Sequence, residues 1–225
     1  MAQPTMNLAQ ARDNMVDGQV RPNRVTDPRI IQAMRRLPRE RFVPPAMAAL
    51  AYIDEDLPLG GGRYLVEPMV IARLVQALRL RAGERVLVAG AGTGYGAALV
   101  AACGAEVTAL EEDQALLAIM RPVLADAAPG VQVLEGPIGE GLAPPVGAAW
   151  DAVLLEGAVR AIPPALARQV GESGRLATVI APPLGNGYAV LAEPSLRPGE
   201  LRAQPLFDCA TPPLPSLLPR PAFQF

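Results

Sequence analysis

Four glycines at alternate positions, Gly90, Gly92, Gly94 and Gly96, follow the apolar run Val86-Leu87-Val88-Ala89 and lead into a stretch of small residues. A strand that enters such a turn and leaves it as a helix lets its backbone approach a bound ligand with no Cβ in the way. Glu111 stands 21 residues beyond Gly90, after the second apolar run Val107-Thr108-Ala109-Leu110, and Glu112 follows it. A carboxylate in that position can accept hydrogen bonds from both hydroxyls of a ribose. The same two acids also suit a helix start, where the helix dipole favours negative charge and Asp113 acts as the cap.

What is missing narrows the chemistry further. Of 225 residues none is His, and all 20 basic residues are Arg. That excludes Ser-His and Cys-His nucleophile pairs, His-ligated zinc, a Lys Schiff base and the Lys-dependent phosphate loop. Cys103 and Cys209 share no ligand-like spacing and make no disulfide framework, so no metal is expected. The formal charge of −2 argues against a nucleic-acid surface. Residues 86–105 run without a charge over a membrane-spanning length, but the glycines make them a strand, a turn and a helix instead. The first residues, Met-Ala-Gln-Pro-Thr, lack the basic and apolar regions of a signal peptide, so a soluble cytoplasmic protein with no membrane partner is expected.

The elements that must position these residues follow from periodicity. Residues 1–67 read as helices separated by prolines. Thr26-Asp27-Pro28 supplies a cap and a first-turn proline for a helix over 29–37, and a short helix follows Pro44-Pro45. Leu57-Pro58-Leu59-Gly60-Gly61-Gly62 is expected to break regular structure, as a connector or as a loop that a ligand approaches closely. From 68 onward helices and strands alternate: helix 69–80, strand 84–89, helix 95–103, strand 106–110, helix 114–124, strand 131–134, strand 150–155, helix 163–170 and strand 175–180. Such crossover units make a largely parallel sheet with ligand sites beyond the carboxyl ends of its strands. Gly185-Asn186-Gly187 reads as a hairpin turn into antiparallel edge strands at 188–192 and near Leu206. The proline-rich tail from Thr211, with Pro212, Pro213, Pro215, Pro219 and Pro221, is expected to be an extended surface segment of the same domain.

The glycines occupy the first, third and fifth positions of the turn, whereas the dinucleotide fingerprint wants the first, third and sixth, and the sixth here is Tyr95. The turn resembles that of Rossmann-like S-adenosylmethionine-dependent methyltransferases; a nicotinamide enzyme is the competing reading. More specifically, the chain resembles the protein-L-isoaspartate O-methyltransferases. The resemblance is carried by Met15-Val16-Asp17-Gly18-Gln19-Val20, Pro38-Arg39-Glu40-Arg41-Phe42-Val43-Pro44, Ala51-Tyr52 with Asp54, and Leu57-Pro58-Leu59-Gly60 leading to Pro68. The glycine loop, then Trp150-Asp151-Ala152-Val153-Leu154-Leu155 and Ile162-Pro163 to Gly174-Arg175-Leu176, continue in the family's order.

The resemblance implies a Rossmann-like α/β sheet with an N-terminal helical cap and S-adenosylmethionine as cofactor. It also implies methyl transfer to isoaspartyl carboxylates of damaged peptides or proteins. Cofactor contacts are expected from Gly90, Ala91, Gly92, Thr93, Gly94, Tyr95, Glu111, Glu112, Pro137 and Ile138. A carboxylate acceptor is ionised at neutral pH and needs no general base, which suits a chain without His or Lys. The chain departs from the family at three places. Tyr64-Leu65-Val66-Glu67-Pro68 stands for Thr-Ile-Ser-Gln-Pro, so Val66 replaces the Ser taken as the catalytic group; Gly136-Pro137 stands for Gly-Asp; and Glu156 replaces a Thr. Arg63 is a candidate clamp for a carboxylate or a solvated loop residue. Glu156 either repels an acidic acceptor or acts as a base for a different one. Two further functions therefore stay open: a cofactor-binding protein without repair activity, and a methyltransferase that uses Glu156 on another acceptor.

Overall fold

The computed structural model describes residues 7–144, 149–197 and 199–219. The first six residues and Pro221 in the tail lie outside them. The N-terminal segment contains α1 (Leu8–Met15), continued by a π-helical turn at Val16–Val20, and α2 (Pro28–Arg36). Asp27 caps α2 by accepting from the Arg29 amide, and Pro28 opens its first turn as the sequence anticipates. Single 3-10 turns follow at Arg39–Phe42 and Pro45–Leu50. Next comes a difference from expectation: Leu57–Gly60 and Arg63–Leu65 are two short antiparallel strands, β1 and β2. Gly60, Gly61 and Gly62, all at positive φ, make the tight turn between them. Three glycines that break most structure here close a hairpin.

After α3 (Pro68–Ala77) come β3 (Arg85–Ala89), α4 (Tyr95–Ala102), β4 (Glu106–Glu111), α5 (Gln114–Ala127) and β5 (Gln132–Glu135). They are followed by β6 (Trp150–Val159), α6 (Pro164–Gln169), β7 (Val170–Ile180), β8 (Tyr188–Pro194) and β9 (Leu201–Asp208). The main sheet has seven strands in the order β5-β4-β3-β6-β7-β8-β9. Pairings from β5 to β7 are parallel, and β8 and β9 run antiparallel at the edge. Sheet order reverses direction between β3 and β6, and the crevice at such a switch point is where open α/β sheets place ligands.

The larger core cluster joins the N-terminal helices, α3, α4 and α5 to the sheet. Helix α4 is apolar all round and buried from Tyr95 to Val100, which fits a helix enclosed by its neighbours. A smaller cluster around Trp150, Leu166 and Leu214 covers the other face. Trp150 donates its indole N–H to the Leu142 carbonyl at 2.8 Å.

The tail corrects the sequence reading most clearly. Thr211 and Leu214 are buried, and Pro213 bridges in parallel to Ala158 at the end of β6. The Ala158 amide donates to the Pro212 carbonyl and the Leu214 amide to the Ala158 carbonyl. The segment is a strap across the sheet's carboxyl end.

Candidate functional site

The turn after β3 runs Gly90, Ala91, Gly92, Thr93, Gly94, with φ of +68°, +59° and +95° at its three glycines. A side chain at these angles is strained, so the loop's shape depends on glycine. Ala91 and Thr93 are buried; Thr93 donates its hydroxyl to the Phe42 carbonyl, which ties the turn to the N-terminal segment. Glu111, the last residue of β4, lies beside the turn and is fully buried. Sequence spacing placed the acid correctly at the strand end, and Asp113 caps α5 by accepting from the Ala115 and Leu116 amides.

What faces Glu111 was not foreseen. Arg63, at the start of β2, reaches it in bidentate fashion, Nη1 to Oε1 at 2.6 Å and Nη2 to Oε2 at 2.9 Å. Nη2 also donates to the Gly90 carbonyl at 3.0 Å. The reading of Arg63 as a solvated loop residue is thus overturned, because both side chains of this ion pair are buried. Glu111 further accepts from the Gly92 amide at 2.7 Å, the Glu112 amide at 3.0 Å and the Asp113 amide at 3.1 Å. Five donors saturate a group with roughly four lone-pair sites.

Nearby, the Ile138 amide donates to a Glu112 carboxyl oxygen at 3.1 Å, just after Pro137 opens a 3-10 turn. The strap closes the site from above. Leu214 covers Gly90 and Gly157, Pro215 lies on Gly62, and Leu217 lies on Gly139. The turn from Gly90 to Tyr95 and Glu111 are buried, and the adjoining cavity, lined by Arg63, Val66, Glu156, Gly157, Thr211 and Leu214 among others, is about 10 Å³. Nucleoside-sized ligands occupy clefts of about 300–1,000 Å³. In this arrangement the residues expected to hold S-adenosylmethionine do not leave room for it: the glycine turn and the acid are formed, but Arg63 and Leu214 fill the place.

The family model for protein-L-isoaspartate(D-aspartate) O-methyltransferase matches residues 10–193. The chain belongs to this family. It is 41% identical over 176 residues to a protein-L-isoaspartate O-methyltransferase of Methylorubrum populi, covering 78% of this chain and 82% of that one. A relative of the same name from Koribacter versatilis is 34% identical over 204 residues, 90% of each chain. Among solved structures, a Plasmodium falciparum beta-aspartate methyltransferase in complex with S-adenosyl-L-homocysteine superposes with a TM-score of 0.73 at 17% identity, covering 91% of this chain and 98% of that one. A second structure, named protein-L-isoaspartate O-methyltransferase, gives 0.75 at 22% identity over 92% of this chain and 67% of that one. These two similarities establish the fold, a Rossmann-like α/β sheet.

Val66 is buried where the family's Ser is expected, and its carbonyl accepts from Arg39 Nη2 at 2.7 Å. Arg39 is a residue that sequence reasoning did not single out. It is completely buried, donates through Nε to the Ala51 carbonyl at 2.8 Å, and lies 4.7 Å over the Tyr95 ring. Tyr95, expected against the cofactor, instead packs under Arg39 and edge-on to Phe42, with ring centroids 5.3 Å apart. No local signal distinguishes a buried Arg in Pro-Arg-Glu-Arg-Phe from a solvated one.

Glu156 sits in a β-bulge. Between Leu154 and Ala158 strand β6 carries extra residues relative to β7, and this irregularity turns the Glu156 carboxyl inward. The carboxyl lies against Gly96, where any Cβ would collide with Oε2; the close approach explains that glycine. Among the described residues Oε2 has no hydrogen-bond partner. Burial pushes the Glu156 carboxyl up to about 8, against the pull of Arg63 and Arg39 and with the push of Glu111. Burial thus favours the neutral form of this carboxyl at pH 7.

A stability prediction follows. Glu156 stays protonated in the folded chain up to about pH 8, whereas its unperturbed value is 4.5. The folded state then binds the extra proton between those values, and stability falls as pH rises through that window. Glu156→Gln is expected to flatten this decline, so that its stability gain over wild type grows from pH 5 to pH 8.5 in urea unfolding. Parallel pH profiles for the two proteins would contradict it.

Among the described residues no cluster of three or more candidate ligands is arranged to hold a metal ion, and no helix is long and apolar enough to cross a membrane.

Proposed function

We propose that the protein is an S-adenosylmethionine-dependent carboxyl O-methyltransferase that acts on isoaspartyl residues of peptides or proteins. The observation that carries this reading is family membership over residues 10–193, together with a glycine turn and a strand-end acid at the sheet's switch point. The names of its relatives and the S-adenosyl-L-homocysteine in the Plasmodium structure support the cofactor and the reaction class. When bound, the cofactor supplies the methyl group. The chain's own contribution is to orient an acceptor that arrives already ionised and to keep water out, for which neither imidazole nor amine is required.

A second reading, a cofactor-binding protein without repair activity, is supported by Val66, which cannot donate a hydrogen bond, and by the closed site. A base role for Glu156 on a different acceptor is less well supported, because the carboxyl is protonated below about pH 8.

The test is transfer of a radiolabelled methyl group to an isoaspartyl peptide and to the matched aspartyl peptide. Base-labile ester on the first, well above the second, is expected. Val66→Ser should raise the rate about 10-fold, the worth of one recovered hydrogen bond of ~1.4 kcal/mol. Equal background with both peptides would sink the repair reading.

A further inference from the structure

The Arg63–Glu111 pair joins two segments 48 positions apart, of which only β4 belongs to the main sheet. Glu111 ends β4, an interior parallel strand, whereas Arg63 stands on a two-stranded hairpin outside the seven-stranded sheet. We propose that Arg63 is a latch on the cofactor site, which holds Glu111 in the ligand-free protein and is exchanged for the ribose hydroxyls when the cofactor enters. The inference rests on the methyltransferase reading and adds to it a mechanism by which the site is opened.

Three observations carry it. First, Glu111 has no free acceptor capacity, so a ribose can bind only if a present donor leaves. Second, of its donors only Arg63 stands on an element apart from the turn after β3 and the start of α5. The Gly92, Glu112 and Asp113 amides belong to the turn after β3 and the start of α5, and they stay with Glu111 when Arg63 withdraws, so the acid is never stranded without partners. Third, Arg63 follows the Gly60-Gly61-Gly62 turn, and swinging this hairpin breaks no pairing of the main sheet, its cost being the withdrawal of Leu57, Leu59 and Leu65 from the larger core cluster.

The strap belongs to the same device. Pro215 rests on Gly62 in the hairpin turn, and Leu214 rests on Gly90 beside the Arg63 guanidinium. Opening for a ligand therefore requires the hairpin and the strap to move together. A closed state of this kind lowers apparent affinity in proportion to the fraction of molecules that are open. Weakening the latch should tighten binding, although it removes native contacts.

S-adenosyl-L-homocysteine is titrated calorimetrically into wild type, Arg63→Gln and Leu214→Ala, and the ligand-free unfolding midpoint of each is recorded. Arg63→Gln is expected to unfold at a lower temperature and yet to bind at least about 10-fold tighter, since more of it is open. Leu214→Ala should also bind tighter, by a smaller factor. A residue with a merely structural role would lower the midpoint without tightening binding. If wild type binds and neither folded variant binds more tightly, the latch is wrong and the cofactor reading stands. Should Arg63→Gln not fold, Leu214→Ala decides alone, and unimproved binding overturns the latch. Absence of binding by wild type and by every folded variant overturns the cofactor reading and the latch with it.

Discussion

Glu111→Ala is expected to destabilise the ligand-free protein by about 3–5 kcal/mol, the cost of breaking a buried ion pair from one side. The substitution leaves the Arg63 guanidinium buried opposite no carboxylate, and it deprives the Gly92, Glu112 and Asp113 amides of their acceptor. Urea unfolding at pH 7 measures the effect. Replacing both partners, Arg63→Met with Glu111→Leu, should recover only the part of the loss due to the unpaired guanidinium, because the three amides still lack an acceptor. A single-variant loss below about 1 kcal/mol would mean that the pair is solvated and contributes as little as a surface bridge.

Arg39→Ala should cost a comparable amount, about 3–5 kcal/mol, through lost packing and two stranded carbonyls. Arg39 fills the space between the N-terminal segment and α4. It donates to Ala51 and Val66 and stacks on Tyr95, and its own value is pulled down by complete burial. Because the Val66 carbonyl accepts from Arg39 just before α3, the same substitution should loosen the segment between β2 and α3. Arg39→Met, which keeps the volume but not the hydrogen bonds, is expected to fall between Ala and wild type in unfolding midpoint. An effect of Arg39→Ala within about 0.5 kcal/mol would place this residue among ordinary surface positions, contrary to its burial.

Local chemistry made a large part of this molecule legible in its sequence. Asp27 and Asp113 as caps, the glycine turn after β3, and Glu111 at the end of β4 are all set by residues within a few positions of one another. The alternation of apolar runs and helices gave the parallel sheet, although β6 and β7 extend beyond the expected 150–155 and 175–180 because they pair with each other over most of their length. What escaped depends on distant partners. Three consecutive glycines do not reveal that β1 and β2 pair across them. A proline-rich tail does not reveal that Leu214 packs on Gly157 from 57 positions away. Arg63 gives no sign of its acid 48 positions on, and the burial that neutralises Glu156 comes from α4 and from a bulge that periodicity does not encode.

A crystal structure of the protein with S-adenosyl-L-homocysteine decides whether the turn after β3 and Glu111 form a cofactor site that Arg63 closes. The ribose hydroxyls are expected on Glu111, with the Gly92 amide still donating to that carboxylate and Arg63 withdrawn with the hairpin. Ligand bound elsewhere, or bound at the turn with the Arg63–Glu111 pair intact, would contradict this.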